Sequence, residues 1–241
     1  RGSVRLTAPV DTGPLLADVL AGFALAHPAV SVEVELSARM VDLVADGSDL
    51  AIRAGTLRDS SLVARKLGTS VAGLTASPEY LARRGMPRSV ADLANHECVL
   101  WRAKNGEARW TLTGPDGEES VVVRGPIAGD DFSFVRAAAR RGAGVALLPS
   151  PGHLDDLRSG RLVPVLSDRH GPESPIHLVY PSARFLPQRV AVLRDHLLRH
   201  FEIPDPCAFV RAAKEATDRP PAKAKQAARA PAGRAPRGGA R

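Results

Sequence analysis

The sequence predicts an α/β fold, and three observations carry that prediction. Short apolar runs of strand type recur between stretches with helical spacing, the alternation that α/β domains produce. Ser31-Val32-Glu33-Val34-Glu35-Leu36 alternates with period two, as a half-buried strand does. The block 40–55 reads as a short helix, a glycine turn and a buried strand. In it Val41, Leu43 and Val44 form an apolar helical face, Gly47 sits where a helix C-cap takes a left-handed residue, and Leu50-Ala51-Ile52 is a core-strand run that delivers Arg53 at its carboxyl end. Open α/β sheets bind ligands at that end of their strands, and a guanidinium followed by Ala54-Gly55 suits an anion approaching the backbone.

The elements follow in order. Val4-Arg5-Leu6-Thr7-Ala8 alternates toward a strand, and Asp11-Thr12-Gly13-Pro14 opens a helix over 14–27 with proline early in its first turn. Between Leu15 and Ala26 only Asp18 is charged, so this helix is apolar almost all round. Its second face is expected either in a dimer interface or buried within one subunit. After the strand at 31–36 and the block 40–55, Val71-Ala72-Gly73-Leu74-Thr75-Ala76 is a crossover strand into a second lobe. Short helices are expected at 78–84 and 89–95, opened by Pro78 and Ser89. Strands follow at 98–101, 109–112 and 120–123, the last two joined by a turn at Gly114-Pro115-Asp116-Gly117. A helix at 132–141, a strand at 145–148, a return strand at 176–180 and an amphipathic helix at 187–201 with Val190, Leu193, Leu197 and Phe201 inward complete a mostly parallel α/β pattern.

The net charge of +7 resembles a nucleic-acid signal until it is located. Residues 205–241 carry nine Lys/Arg and three Asp/Glu, which leaves only +1 for the rest and argues against a basic DNA-binding face on the folded body. That segment, with Pro220-Pro221, Gly238-Gly239 and no apolar periodicity, is expected to be a disordered basic tail. Cys98 and Cys207 cannot supply an internal disulfide framework if Cys207 lies beyond the fold, which fits a reducing cytoplasm. No apolar run approaches the ~20 residues a membrane span needs, and no signal peptide is present, although Arg1 is not an initiator.

Several motifs together carry a family resemblance. Thr7-Ala8-Pro9, the block 40–55, Ser60-Ser61-Leu62-Val63-Ala64-Arg65-Lys66-Leu67, Ala76-Ser77-Pro78-Glu79-Tyr80-Leu81, Gly142-Ala143-Gly144-Val145-Ala146-Leu147-Leu148-Pro149 and Gly160-Arg161-Leu162-Val163-Pro164-Val165-Leu166 stand in the order used by the effector-binding region of LysR-type transcriptional regulators. The chain resembles that region from about residue 1 to residue 201. The resemblance implies two Rossmann-like lobes joined by two crossover strands, a type 2 periplasmic-binding-protein-like fold, with lobe I at 1–72 and 176–204 and lobe II at 73–175. It further implies a small-molecule effector in the interlobe cleft and a homodimer or homotetramer. DNA contact would come through an N-terminal helix-turn-helix, which this sequence lacks along with the family's long linker helix. A solute-binding protein of a transporter, with a similar two-lobed fold, is the alternative.

If the lobes are arranged as in the relatives, three loops converge on the cleft. The expected effector-binding residues are Pro9, Val10, Asp11 and Thr12; Ser37, Arg39, Arg53 and Gly55; and Asp130, Asp131, Phe132 and Pro149. The first and third loops precede helix starts, whose free backbone N–H groups attract anions. Asp11, Asp130 and Asp131 either cap those N–H groups or line the pocket and favour a neutral or cationic effector. Arg39 and Arg53 favour an anion or form surface ion pairs, so the effector's charge stays open.

Enzymatic signals are missing. Gly142-Ala143-Gly144 lacks a third glycine and follows a helix, so it is a helix-to-strand turn rather than a dinucleotide fingerprint. His196 and His200 have metal-binding spacing but no third ligand, and Arg194, Asp195 and Arg199 around them suggest a solvated face. No nucleophile elbow occurs. Neither a catalytic site, a cofactor nor a metal is expected.

Overall fold

The computed structural model describes residues 1–37, 47–55, 62–150, 152–181 and 186–203. The expected helix at Val41, Leu43 and Val44, Arg39, Cys207 and the 205–241 tail therefore lie outside the described residues. In chain order the elements are β1 (Gly2–Ala8), α1 (Gly13–Ala26), β2 (Val30–Leu36), β3 (Leu50–Ala54), β4 (Leu62–Ala76), α2 (Pro78–Arg84), β5 (Glu97–Trp101), β6 (Glu107–Gly114), β7 (Gly117–Gly129), α3 (Phe132–Arg140), β8 (Val145–Pro149), α4 (Leu154–Arg158), β9 (Val163–Pro164), β10 (Glu173–Pro181) and α5 (Gln188–His200).

Among the described residues the strands run in the order β2-β1-β3-β10-β4-β8-β5-β7-β6, with β9 also on β4. Where helices or long connections join strands, the pairs are parallel: β1 with β2 and β3, and β5 with β7 and β8. The β6–β7 hairpin and the two crossover strands add antiparallel pairs, so the sheet is mixed rather than mostly parallel.

β4 is the strand that makes two lobes from one ribbon. Its residues 62–71 pair with β10, and its residues 72–75 pair with β8. At the changeover, Gly171 N donates to Ala72 O at 2.8 Å, which brings the return crossover alongside the outgoing one. β4 begins nine residues before the strand expected at Val71. Its pairing with β10 jumps from Gly68 to Lys66 opposite adjacent residues, leaving Leu67 as a bulge that breaks the period-two signal.

Apolar residues place a main core and a small cluster, Ala51 with Val179, in lobe I, and two cores in lobe II. Leu16 and Phe23 of α1 and Val190, Leu193 and Leu197 of α5 pack against β1, β3 and β10. In lobe II, Tyr80, Leu93 and Trp110 lie on one side of the sheet, while Val135, Ala139 and Leu157 lie on the other. The segment expected as a helix at 89–95 is a 3-10 turn, Ala91–Asn95, stabilised by the Ser89 and Asp92 side chains bonding each other's backbone N–H. α4 has no counterpart among the expected elements.

The apolar excess of α1 is only partly used. Leu25 is 86% exposed, and the adjacent edge strand β2, paired on one side only, leaves Val34 and Leu36 at 41% and 42%. His196 corrects an expectation. It is not on a solvated face: Nε2 bonds Val19 O at 3.1 Å, and the ring packs edge-on against Phe23 at 5.2 Å, joining α5 to α1.

Candidate functional site

β1 ends at Ala8, and Pro9 starts a 3-10 turn, Val10–Thr12, in which the Thr12 N–H and hydroxyl both donate to Pro9 O, at 3.1 and 2.7 Å. This turn holds Asp11 against lobe II. On the facing side α3 begins after Gly129-Asp130-Asp131, and β8 ends at Pro149. Asp11, Phe132, Arg136, Pro149 and His153 line one small cavity together with Ser133, Leu148 and Gly152. Its volume is about 10 Å3, roughly the space that one water needs.

Burial raises the Asp11 pKa above the usual 3.8; its own backbone N–H acts the other way, and the charge of Asp131 adds to the rise. Asp131 is the N-cap of α3, accepting from Phe134 N at 2.9 Å. The capping alternative therefore holds for Asp131, while Asp11 caps nothing and faces the cavity. Asp130 contributes its carbonyl, which accepts from Trp101 Nε1 at 3.2 Å. Trp101 stacks on Phe132 at 4.7 Å, with Arg102 over its face at 4.9 Å, so an aromatic platform edges the lobe II side.

His153 is fully buried beneath this cavity. Pro149 O can only accept, so the Nδ1 atom at 3.0 Å carries the proton. Burial is the main reason its pKa falls to about 4. Nearby Asp156, also fully buried, accepts from Arg136 and Arg161 at 2.5 and 2.7 Å, with Arg140 at 3.5 Å. Burial alone would raise its pKa, but those hydrogen bonds and charges hold the carboxyl below its usual range.

The first and third expected loops thus meet, but the second does not join them in this cavity. Ser37 is tied to the end of β1 by Ser37 N to Ala8 O at 3.0 Å. Arg53 is the penultimate residue of β3, opposite His177, with Nη1 on Ile52 O at 3.3 Å. Gly55 takes a φ of +91° and donates its N–H to Pro175 O. Both lie at the carboxyl end of β3, as the strand reading required.

A family model described as the LysR substrate binding domain matches residues 1–202. The chain belongs to the LysR substrate-binding domain family. It is 35% identical over 205 residues to the transcriptional regulator PtxR of Pseudomonas aeruginosa, covering 82% of this chain and 65% of that one. To an uncharacterized HTH-type transcriptional regulator of Haemophilus influenzae it is 31% identical over 191 residues, covering 79% of this chain and 66% of that one. The chain thus spans just under two thirds of these relatives. The regulatory domain of CrgA from Neisseria meningitidis superposes with a TM-score of 0.75 at 27% identity, covering 83% of this chain and 98% of that one. Full-length AphB, a virulence activator of Vibrio cholerae, gives 0.73 at 30% identity, covering 82% and 68%. These relatives are transcriptional regulators, not solute-binding proteins of transporters, and the chain corresponds to the LysR substrate-binding domain.

Within this LysR domain, Ser133, Arg136, Leu148, Gly152 and His153 are cavity residues that the sequence reading missed. Arg136 was accessible to it, one helical turn after Phe132 on a helix already placed at the cleft. His153 was not, because α4 carries too few apolar residues to announce itself. No group of three or more potential metal ligands occurs among the described residues, and no helix there is long and apolar enough to cross a membrane.

Proposed function

We propose that this domain senses a small-molecule effector between its lobes and serves as the oligomerisation unit of a cytoplasmic, DNA-binding LysR-type regulator, without catalytic turnover. The observation that carries this reading is the two-sided cavity: Asp11 comes from the end of β1, and Phe132, Arg136, Pro149 and His153 come from across the crossover strands. A ligand too large for about 10 Å3 has to part the Val10–Thr12 turn from α3, so occupancy is converted into a change of lobe separation.

The proposed effector contacts are Pro9, Val10, Asp11, Thr12, Ser37, Arg39, Arg53, Gly55, Asp130, Asp131, Phe132 and Pro149, of which Arg39 lies outside the described residues. The proposed lobes are 1–72 with 176–204, and 73–175. Homodimer or homotetramer assembly is supported by the exposed apolar Leu25, Val34 and Leu36. DNA binding is assigned to an N-terminal helix-turn-helix by likeness to the HTH-type relatives.

The test is a metabolite screen by thermal shift, followed by X-ray scattering and operator binding for each hit with a protein that carries the DNA-binding region. The expected result is a ligand that changes lobe separation and operator affinity together, with both effects removed by Asp11→Ala plus Phe132→Ala. Ligands that bind the cleft while leaving operator binding unchanged would overturn the reading.

A further inference from the structure

The end of lobe II remote from the cleft holds a second cavity, an open one of about 360 Å3, lined by Ser77, Pro78, Glu79, Arg140, Arg141 and Arg161. Three guanidiniums from two chain segments meet there. Arg140 and Arg141 end α3, and Arg161 precedes β9. We propose that this cavity is a second ligand site, for a small phosphate-bearing anion.

The charge balance is the first support. Asp156 lies beneath the cavity as a fully buried carboxylate contacted by Arg136, Arg140 and Arg161. Adding Arg141, which makes no ion pair with any described residue, sets four guanidiniums against one buried carboxylate. Glu79 also lines the cavity, but its carboxylate is matched by Arg83 at 3.0 Å on the next helical turn. Like charges held this close repel one another unless a counter-anion joins them.

The geometry is the second support. Arg140 and Arg161 both reach Asp156 Oδ1 through Nε, at 3.5 and 2.7 Å, which fixes the two guanidiniums side by side. Pairing through Nε leaves the terminal amino groups of each fork for another acceptor, and paired forks match phosphate oxygens. The buried carboxylate is therefore the anchor that pre-orders the arginines, and the cavity has room for a phosphate or a diphosphate ester. None of its lining residues lines the cleft cavity, so the proposal does not rest on the effector reading, although Arg136 of the cleft shares Asp156 with it.

The experiment is titration calorimetry of the full chain with inorganic phosphate and with pyrophosphate at constant ionic strength. It compares the parent with Arg141→Gln, Arg161→Gln and Glu79→Gln. Residues 205–241 attract anions equally in every variant, so the differences between variants are the readout. Removing one charge-assisted pair is expected to weaken pyrophosphate by about tenfold or more in Arg141→Gln and Arg161→Gln. Glu79→Gln is expected to tighten it severalfold, a gain that a merely structural role for these residues does not produce. Arg161→Gln also loosens Asp156, so Arg141→Gln, at an exposed helix end, is the variant that keeps the test clear of folding. Pyrophosphate heats no different from those of sodium chloride, or equal affinity in the parent and Arg141→Gln, would overturn the proposal.

Discussion

The buried imidazole of His153 makes a quantitative claim about acid stability. Its pKa is lowered from an ordinary 6.5 to about 4, chiefly by burial. The bond to Pro149 O and the charge of Asp156 oppose the shift, and the charge of Arg136 adds to it. Above pH 6.5 the ring is neutral folded and unfolded, so its titration changes nothing. Between 6.5 and about 4 the unfolded chain takes up a proton that the folded chain refuses, and stability falls by about 1.4 kcal/mol per pH unit. Below about 4 both states are protonated and the loss levels off near 3 kcal/mol, an order-of-magnitude figure from the same conversion. Replacement by asparagine removes the titration while its amide keeps a donor for Pro149 O. Urea unfolding of the parent and His153→Asn at pH 7, 6, 5 and 4.5 should show the parent losing stability more steeply, by nearly one proton. Parallel stability curves for the two proteins would refute the reasoning.

Three further outcomes are expected. Asp156→Asn leaves three arginines without their buried anion and should cost about 3 kcal/mol by chemical unfolding, toward the low end for broken buried pairs because Arg140 and Arg161 stay partly exposed. Asp11→Asn should raise the melting temperature at pH 7. The folded pKa of Asp11 is raised, so its ionisation penalises the native state above the usual 3.8, and the gain should shrink as the pH is lowered into the carboxylate range. Leu25→Lys, at a side chain 86% exposed, should change monomer stability by no more than about 0.5 kcal/mol while shifting light-scattering mass toward monomer; an unchanged oligomer would remove α1 from the interface.

How much of this was legible in the sequence depended on whether local periodicity or tertiary contact fixed the element. β1, β2, α1, α3, β8 and α5 announced themselves because one face packs on a core, and their ends moved by only a few residues. The first half of β4 stayed hidden because the Leu67 bulge shifts the phase of its side chains. α4 stayed hidden because five residues are too few for Leu154 and Leu157, which pack in a lobe II core, to show a helical period, and Asp156 between them is fixed by arginines from two other places in the chain. The cleft was legible as loops at strand ends, and Asp11, Phe132 and Pro149 do converge. Its buried histidine was not legible, since nothing local distinguishes His153 from a surface residue.

The two cavities share α3. Phe132 and Arg136 at its start line the cleft, while Arg140 at its end lines the arginine cavity, and Asp156 bonds both arginines. Nine residues of helix span about 14 Å and move as a rigid rod, so displacement of the amino end by an effector has to carry Arg140 with it unless Asp156 gives way. An anion held by Arg140 and Arg161 then binds open and closed lobes unequally, and linkage requires the effect to be reciprocal: pyrophosphate alters effector affinity by the factor that effector alters pyrophosphate affinity. Measured on the same protein, two equal factors different from one would establish α3 as the coupling element. Factors of one, with both sites occupied, would refute coupling through α3.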